Sequence, residues 1–360
     1  MIKGIEIIGV DMLSELVSYL RNEKNIEPTP HTFDVFAHKQ HEQPLNFEQV
    51  KGQMVAKRAL QIAAAGRHNI LFIGPPGSGK TMLAKRLGTI LPAMSFDEII
   101  ETTKIYSIAG QLGNNSLIIH RPFRSPHHTV SQAGLVGGGS NPRPGEISLG
   151  HNGILFLDEL TEFNRSTLEV LREPLENKKV LISRATCSVE YPASFLLVAA
   201  LNPCPCGFFG DKKKKCVCSE KQISNYIGKL SGPLLDRIDI HVNVASVDYD
   251  EIKNSETKQK GSKEMFSEVE IAVKNQEKRG VSLRNAHMSS DQVEQFCILT
   301  KEAELTIKLA FDKLGLSMRG YHKILKIART IADFETSEKI DRQHIREAIM
   351  FRSLDRILEG

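Results

Sequence analysis

Gly74-Pro75-Pro76-Gly77-Ser78-Gly79-Lys80-Thr81 is the stretch whose reading decides the fold. It follows the apolar run Ile70-Leu71-Phe72-Ile73 and opens a helical segment, Met82 to Leu91, so G-x4-G-K-[ST] stands in the strand–loop–helix setting it requires. The glycines let backbone N–H groups close around phosphate oxygens at the positive end of the helix. In that geometry Lys80 reaches the β- and γ-phosphates and Thr81 offers its hydroxyl to Mg²⁺, which predicts a site for ATP and Mg²⁺. A chance glycine-rich turn would need neither the strand before it nor the helix after it.

Working outward, a second apolar run, Gly153 to Leu157, ends in Asp158-Glu159. A carboxylate at the C-terminal end of such a strand can face the phosphate loop, with Asp158 holding Mg²⁺ and Glu159 orienting or deprotonating the attacking water. A third run, Phe195 to Leu201, closes on Asn202, whose amide can sense the γ-phosphate or align water. With Ile238 to Val244 these short runs alternate with helical segments from Phe47 on, the pattern of a three-layer α/β core with a mostly parallel sheet, over residues 45–250. Asn254 to Lys263 lacks apolar periodicity and reads as a hinge or exposed loop. Beyond it four helical segments, roughly 264–279, 290–313, 317–333 and 341–354, make a small all-α domain over residues 264–360. Residues 1–44 hold one amphipathic helical stretch and a Pro- and His-rich linker.

At 360 residues the chain is long enough for about two domains. Its 41% hydrophobic and 25% charged composition is ordinary, and its apolar runs fall short of the roughly 20 residues a membrane span needs. Glu6, Asp11 and Glu15 are residues a secretory or transit peptide avoids, so the expected location is the cytoplasm, with no membrane partner. A net charge of +4, from 47 basic and 43 acidic residues, leaves the partner open.

Six cysteines in such a chain argue against a disulfide framework, and four of them crowd between Cys204 and Cys218. Cys204-x-Cys206 and Cys216-x-Cys218 can fold four thiolates around one tetrahedral ion, most simply Zn²⁺; four free thiols near a turn are the alternative, since Cys-x-Cys is tighter than the usual zinc spacing. Cys187 and Cys297 read as ordinary partly buried residues, and His127-His128 as structural or DNA-facing.

Several stretches are specific enough to carry a resemblance. They include Gly52-Gln53 with Ala56-Lys57-Arg58-Ala59-Leu60, Arg121-Pro122-Phe123-Arg124-Ser125-Pro126-His127-His128, and Gly137-Gly138-Gly139-Ser140 followed by Pro144-Gly145-Glu146-Ile147. Asn202-Pro203-Cys204-Pro205-Cys206-Gly207, Ser231 to Asp239 and Ala328-Arg329-Thr330-Ile331-Ala332-Asp333 complete the set. With these the chain, from about Phe47 onward, resembles the ComM/YifB family of magnesium-chelatase-like AAA+ ATPases. The resemblance implies that Asn202 is sensor 1, Arg237 an arginine finger and Arg319, in Leu316-Ser317-Met318-Arg319, the sensor 2 arginine of a helical lid. A finger acting on a neighbour's nucleotide implies a closed ring, a hexamer in this family; the alternative for Arg237 is an internal salt bridge with Asp236 or Asp239. Relatives carry a larger N-terminal Lon-like domain, of which Met1 to about Asn25 resembles the final piece, so the chain reads as N-terminally truncated relative to the family.

Lys178 to Ala185 and Ser188 to Tyr191 alternate as a β-hairpin should, and in related helix-2-insert ATPases such a hairpin projects into the ring's channel. Arg184 near its tip, and Lys212, Lys213, Lys214 and Lys215 between the cysteine pairs, can each grip a DNA phosphate or simply face water. Gly137 to Arg143 resembles the helix-2 insert. The family resemblance implies a DNA motor, a hexameric helicase promoting branch migration of imported DNA. The competing expectation is a remodelling ATPase that drives a protein partner, as the magnesium-chelatase motor subunit does; a bare nucleotide-binding regulator fits less well, because Glu159, Asn202 and Arg237 together imply turnover.

Overall fold

The computed structural model describes residues 6–28, 45–113, 117–139, 141–183, 188–211, 213–246, 260–280 and 284–352. They fall in two compact units, within residues 1–43 and within 44–360. The first contains the helix Leu13–Leu20.

The second is built on strands β1 (Ile70–Ile73), β2 (Phe123–Arg124), β3 (Gly137–Gly138), β4 (Arg143–Pro144), β5 (Ile154–Leu157), β6 (Lys179–Ser183), β7 (Ser188–Pro192), β8 (Leu196–Leu201) and β9 (Ile240–Asn243). Five form one sheet in the order β2-β5-β8-β1-β9, every pair parallel. β1, β5 and β8 are buried at every position, which is why they read as unbroken apolar runs rather than alternating ones. Their side chains still alternate between faces. Ile70, Phe72, Phe156, Val198 and Ala200 enter one core, while Leu71, Leu155, Leu157, Leu197 and Leu201 enter the other.

The first core is closed by helices Met54–Gly66, Ser262–Lys278 and Met318–Phe334, so the C-terminal helices share apolar packing with one face of the sheet. The second lies under the segments between β2 and β8 and under helix Glu220–Ile227. The result is the three-layer α/β P-loop core expected, followed by a helical region.

Three expectations change in detail. The segment 290–313 is two helices, Ser290–Phe296 and Lys301–Leu314, because Leu299 bridges to Ile340 and Thr300 caps the second helix through Ala303 N at 3.3 Å. The phosphate-loop helix runs Lys80–Arg86 and then tightens into one 3-10 turn, Leu87–Thr89. The two-residue strand β2 had no sequence signal of its own and is held by pairing with Ile154 and Leu155.

A buried polar network joins the helical region to the sheet. Arg279 and Arg329 both pair with Asp333, Asn285 Nδ2 donates to Asp333 Oδ2 (2.8 Å) and Thr330 Oγ1 (3.0 Å), and Thr330 Oγ1 bonds His68 Nε2 at 2.8 Å. The Ala328 to Asp333 stretch therefore carries internal polar packing. Among the described residues no helix is long and apolar enough to cross a membrane.

Candidate nucleotide site

Because the sheet is parallel, the loops that leave β2, β5, β8 and β1 emerge on one edge, where open α/β sheets bind their ligands. That edge gathers side chains far apart in sequence. Thr81 Oγ1 donates to Asp158 Oδ2 at 2.6 Å, and Lys80 Nζ donates to Asn202 Oδ1 at 3.2 Å and to the carbonyls of Gly74 (2.7 Å) and Pro75 (2.9 Å). Glu159 follows Asp158 and donates its backbone N–H to Asp158 Oδ1 at 3.0 Å.

The residues suit a triphosphate and its metal. Lys80 is 8% exposed, and burial holds its pKa below the ordinary lysine value against the opposing pull of Asp158 and Glu159. Its ammonium is held by three neutral oxygens, a setting completed by an anion. Gly77 and Gly79 take φ of +76° and +92°, a conformation that turns successive N–H groups toward one point and that side chains resist. Ser78 Oγ is buried with no hydrogen-bond partner among the described residues. Thr81 and Asp158 present two oxygens at nearly the ~2.9 Å spacing of adjacent ligands around octahedral Mg²⁺.

One neighbour was missed by sequence reasoning. His128, in the loop after β2, brings Nδ1 to 3.4 Å from Glu159 Oε2, stacks on His127 at 4.0 Å between ring centroids and meets Phe163 edge-on. It therefore lies beside the Asp158-Glu159 pair. The signal was a His pair following an apolar residue, but nothing local shows that β2 lies next to β5. Glu159 itself adopts φ +52°, ψ +49°, a left-handed conformation that costs a non-glycine residue about 1 kcal/mol or more.

Among the described residues neither Arg237 nor Arg319 bonds to this cluster. Arg237 stands just before β9, at the edge where strands begin: its carbonyl accepts Asn69 Nδ2 at 2.9 Å, whereas the phosphate loop leaves the far end of β1. Its guanidinium bonds Glu176 and the carbonyl of Pro233, not Asp236 or Asp239. Asp239 is instead shared by His68 and Lys323. Arg319 is exposed on the second residue of helix Met318–Phe334, without a hydrogen bond or ion pair among the described residues. A cleft of 790 Å³ borders Arg237, Glu176, Arg172 and the β6 strand, away from the phosphate cluster.

The four cysteines converge. Cys204 Sγ is 3.3 Å from Cys206 Sγ and 3.7 Å from Cys216 Sγ, Cys206 and Cys216 are 3.6 Å apart, and all four sulfurs lie within 4.8 Å of one another. Tetrahedral zinc with bonds of ~2.3 Å separates its sulfurs by about 3.8 Å, so the set fits that ion. Cys297 is buried, its thiol pushed up to about 12; Cys187 lies outside the described residues.

β6 and β7 form the expected antiparallel hairpin, from Lys179↔Pro192 to Ser183↔Ser188. It packs on the short β3–β4 ladder, with Tyr191 Oη donating to Pro142 O at 2.9 Å. Arg184 and Lys212 lie outside the described residues. Lys213, Lys214 and Lys215 are exposed, Lys214 with its ammonium 4.9 Å over the Phe208 ring.

A parallel sheet with a G-x4-G-K-T loop, an Asp-Glu pair and an Asn on one edge, and a helical region following, defines a P-loop ATPase of the AAA+ type. The family model described as magnesium chelatase, subunit ChlI, matches residues 46–252, and that of the ChlI C-terminal region matches residues 259–352. The chain is 44% identical over 319 residues to competence protein ComM of Haemophilus influenzae, an overlap covering 88% of this chain and 61% of ComM. It is 40% identical over 358 residues to YifB of Escherichia coli, covering 99% of this chain and 69% of YifB. To the magnesium-chelatase 38 kDa subunit of Chlorobaculum tepidum it is 23% identical over 307 residues, 77% of this chain and 71% of that subunit. The chain belongs to the ComM/YifB family of magnesium-chelatase-like AAA+ ATPases. That membership supports ATP hydrolysis as its chemistry.

Proposed function

We propose that this chain is the ATP-hydrolysing part of a ring-forming motor that moves DNA, a branch-migration helicase acting in recombination or natural transformation. The observation that carries the hydrolytic half is the convergence of Lys80, Thr81, Asp158, Glu159 and Asn202 on one sheet edge. Lys80 and the loop N–H groups bind and orient the triphosphate. Thr81 and Asp158 hold Mg²⁺, which supplies charge neutralisation on the β- and γ-phosphates. Glu159 takes or aligns the proton of the attacking water, and Asn202 aligns the γ-phosphate with that water. Likeness to the family assigns Arg319, on the helical region, to the same nucleotide as its sensor 2 arginine, a contact that closure around nucleotide would have to make.

Arg237 lies one strand length from its own phosphate loop, and a four-residue strand spans roughly 13 Å. An arginine so removed serves a neighbour's nucleotide, and the repeated head-to-tail contact closes a ring, a hexamer by likeness to the family. Likeness to a competence protein favours DNA as the cargo, with Arg184 and Lys212 to Lys215 as the residues assigned to its phosphates. Cys204, Cys206, Cys216 and Cys218 hold a structural Zn²⁺. The alternative, a chelatase-type motor that remodels a protein partner, draws on the more distant likeness to the magnesium-chelatase subunit.

The test is the ATPase rate at low salt with no DNA, single-stranded, duplex and four-way DNA. Branched DNA is expected to raise the rate severalfold, with the gain lost as salt rises. Equal rates across all four conditions would set the DNA reading aside in favour of a protein partner.

A further inference from the structure

We infer that the four-cysteine clip is a strut for the phosphate loop, so that nucleotide affinity depends on metal held at Cys204, Cys206, Cys216 and Cys218, although no ligand sulfur touches the nucleotide. The inference rests on the zinc reading above.

The clip is attached to both sides of the Lys80 cradle. Cys204 is fully buried two residues after Asn202, whose side-chain oxygen accepts Lys80 Nζ at 3.2 Å. On the other side Gly207, directly after Cys206, turns its backbone against the ring of Pro76. A Cβ on Gly207 would lie 2.5 Å from Pro76 Cδ and 2.9 Å from Pro76 Cγ, so only glycine allows so close an approach. Pro76 sits between Pro75, whose carbonyl holds Lys80, and Gly77, the first left-handed glycine of the loop. The opposite flank is braced separately, by Gln53 Nε2 donating to Ser78 O at 3.3 Å and to Ala245 O at 2.7 Å.

Among the described residues a hydrogen bond ties the cysteine loop outward, from Ser246 Oγ to Asp211 Oδ1 at 3.5 Å, and apolar burial between the cysteine pairs is slight. Phe209 is 47% and Val217 is 83% exposed, and Lys213, Lys214 and Lys215 face solvent, so few apolar contacts order the chain between the cysteine pairs. Its internal bonds are local, Gly207 N to Cys204 O at 2.9 Å and Asp211 N to Phe208 O at 3.1 Å. Cross-linking the pair after β8 to the pair before helix Glu220–Ile227 is what a tetrahedral ion does there: it closes the loop and fixes Gly207 against Pro76. Without it the loop must be ordered when nucleotide binds, and affinity falls.

The test uses three proteins: wild type, the double variant Cys216→Ser/Cys218→Ser, and Gly207→Ala. Zinc per chain is measured by mass spectrometry, folding by circular dichroism, and affinity by titration with a fluorescent ADP in excess Mg²⁺. Wild type is expected to hold one zinc. The double variant is expected to lose zinc and bind ADP about tenfold more weakly, the order expected from re-ordering one or two loop residues on binding. Gly207→Ala is expected to keep its zinc and still bind more weakly, through Pro76 alone. A zinc-free wild type would overturn the metal reading and the strut with it. Zinc in the wild type together with unchanged affinity in a folded double variant would overturn the strut and leave the metal standing. Should the double variant unfold, Gly207→Ala with full zinc and affinity within about twofold of wild type would overturn the strut by itself.

Discussion

At the scale of single residues, the proposed handling of the attacking water rests on Glu159, with His128 beside it. Glu159→Gln removes the basic oxygen but keeps the shape, so ATP affinity is expected to hold while turnover falls by about 10²–10⁴. Normal hydrolysis in that variant would take the water-handling role away from Glu159. His128 Nδ1 lies 3.4 Å from that carboxylate, an ion pair when the ring is protonated, and a partly exposed pair of this kind is worth about 0.2–1 kcal/mol. His128→Ala is therefore expected to lower kcat by up to about fivefold with nucleotide affinity unchanged, and His128→Lys, which keeps a positive charge, to recover part of the loss. An affinity loss that matches the kcat loss would mean that His128 supports the loop and not the carboxylate.

At the scale of elements, the parallel sheet places Arg237 one strand length from the phosphate cluster. Its C-terminal edge carries the phosphate cluster; its N-terminal edge carries Arg237, just before β9 and tethered to Glu176. Arg237→Ala is expected to lower hydrolysis by about 10³ or more without loss of nucleotide binding. Mixed with Lys80→Ala it is expected to regain activity, because some contacts then join an intact arginine to an intact phosphate loop. Rates that stay additive across all mixing ratios would place the arginine's action within its own chain. The segment around Arg237 is held from the helical region, where Lys323 Nζ donates to the carbonyls of Asp236 and Ile238 and lies 3.7 Å from Asp239. The helix that bears Arg319 thus touches the turn that bears Arg237.

At the scale of the whole molecule, the joint between sheet and helices is polar and buried, and stability is expected to fall in mild acid. Burial beside Arg352 and Lys323 holds His241 well below the ordinary histidine value, with Asp239 opposing, and neither ring nitrogen has a hydrogen-bond partner among the described residues. Burial, with Lys178 and Arg67 nearby, lowers His287 to about 3. Both stay neutral when folded, whereas the unfolded chain protonates them below about pH 6.5. Their contribution is fully present above that value and lost as pH falls toward the folded pKa, at about 1.4 kcal/mol each between pH 7.5 and 5.5. The melting temperature is expected to fall over that interval, before carboxylates titrate. His241→Leu is expected to remove about one proton from the slope; an unchanged slope would assign the acid sensitivity elsewhere.

What the sequence determined by itself is whatever contiguous residues can specify through backbone geometry and burial. The phosphate loop, the apolar runs of β1, β5 and β8 and the alternating hairpin were legible because each is spelled in one unbroken stretch, and the parallel order of strands followed from helices between them. Tertiary structure alone decided which loops meet. His128 reaches Glu159 only because a two-residue strand pairs with β5, Arg237 finds Glu176 in place of its neighbours in sequence, and the helical stretch over 290–313 breaks where Leu299 pairs with Ile340. These are long-range choices: their energy lies in contacts between segments brought together by the fold, and no local periodicity records them.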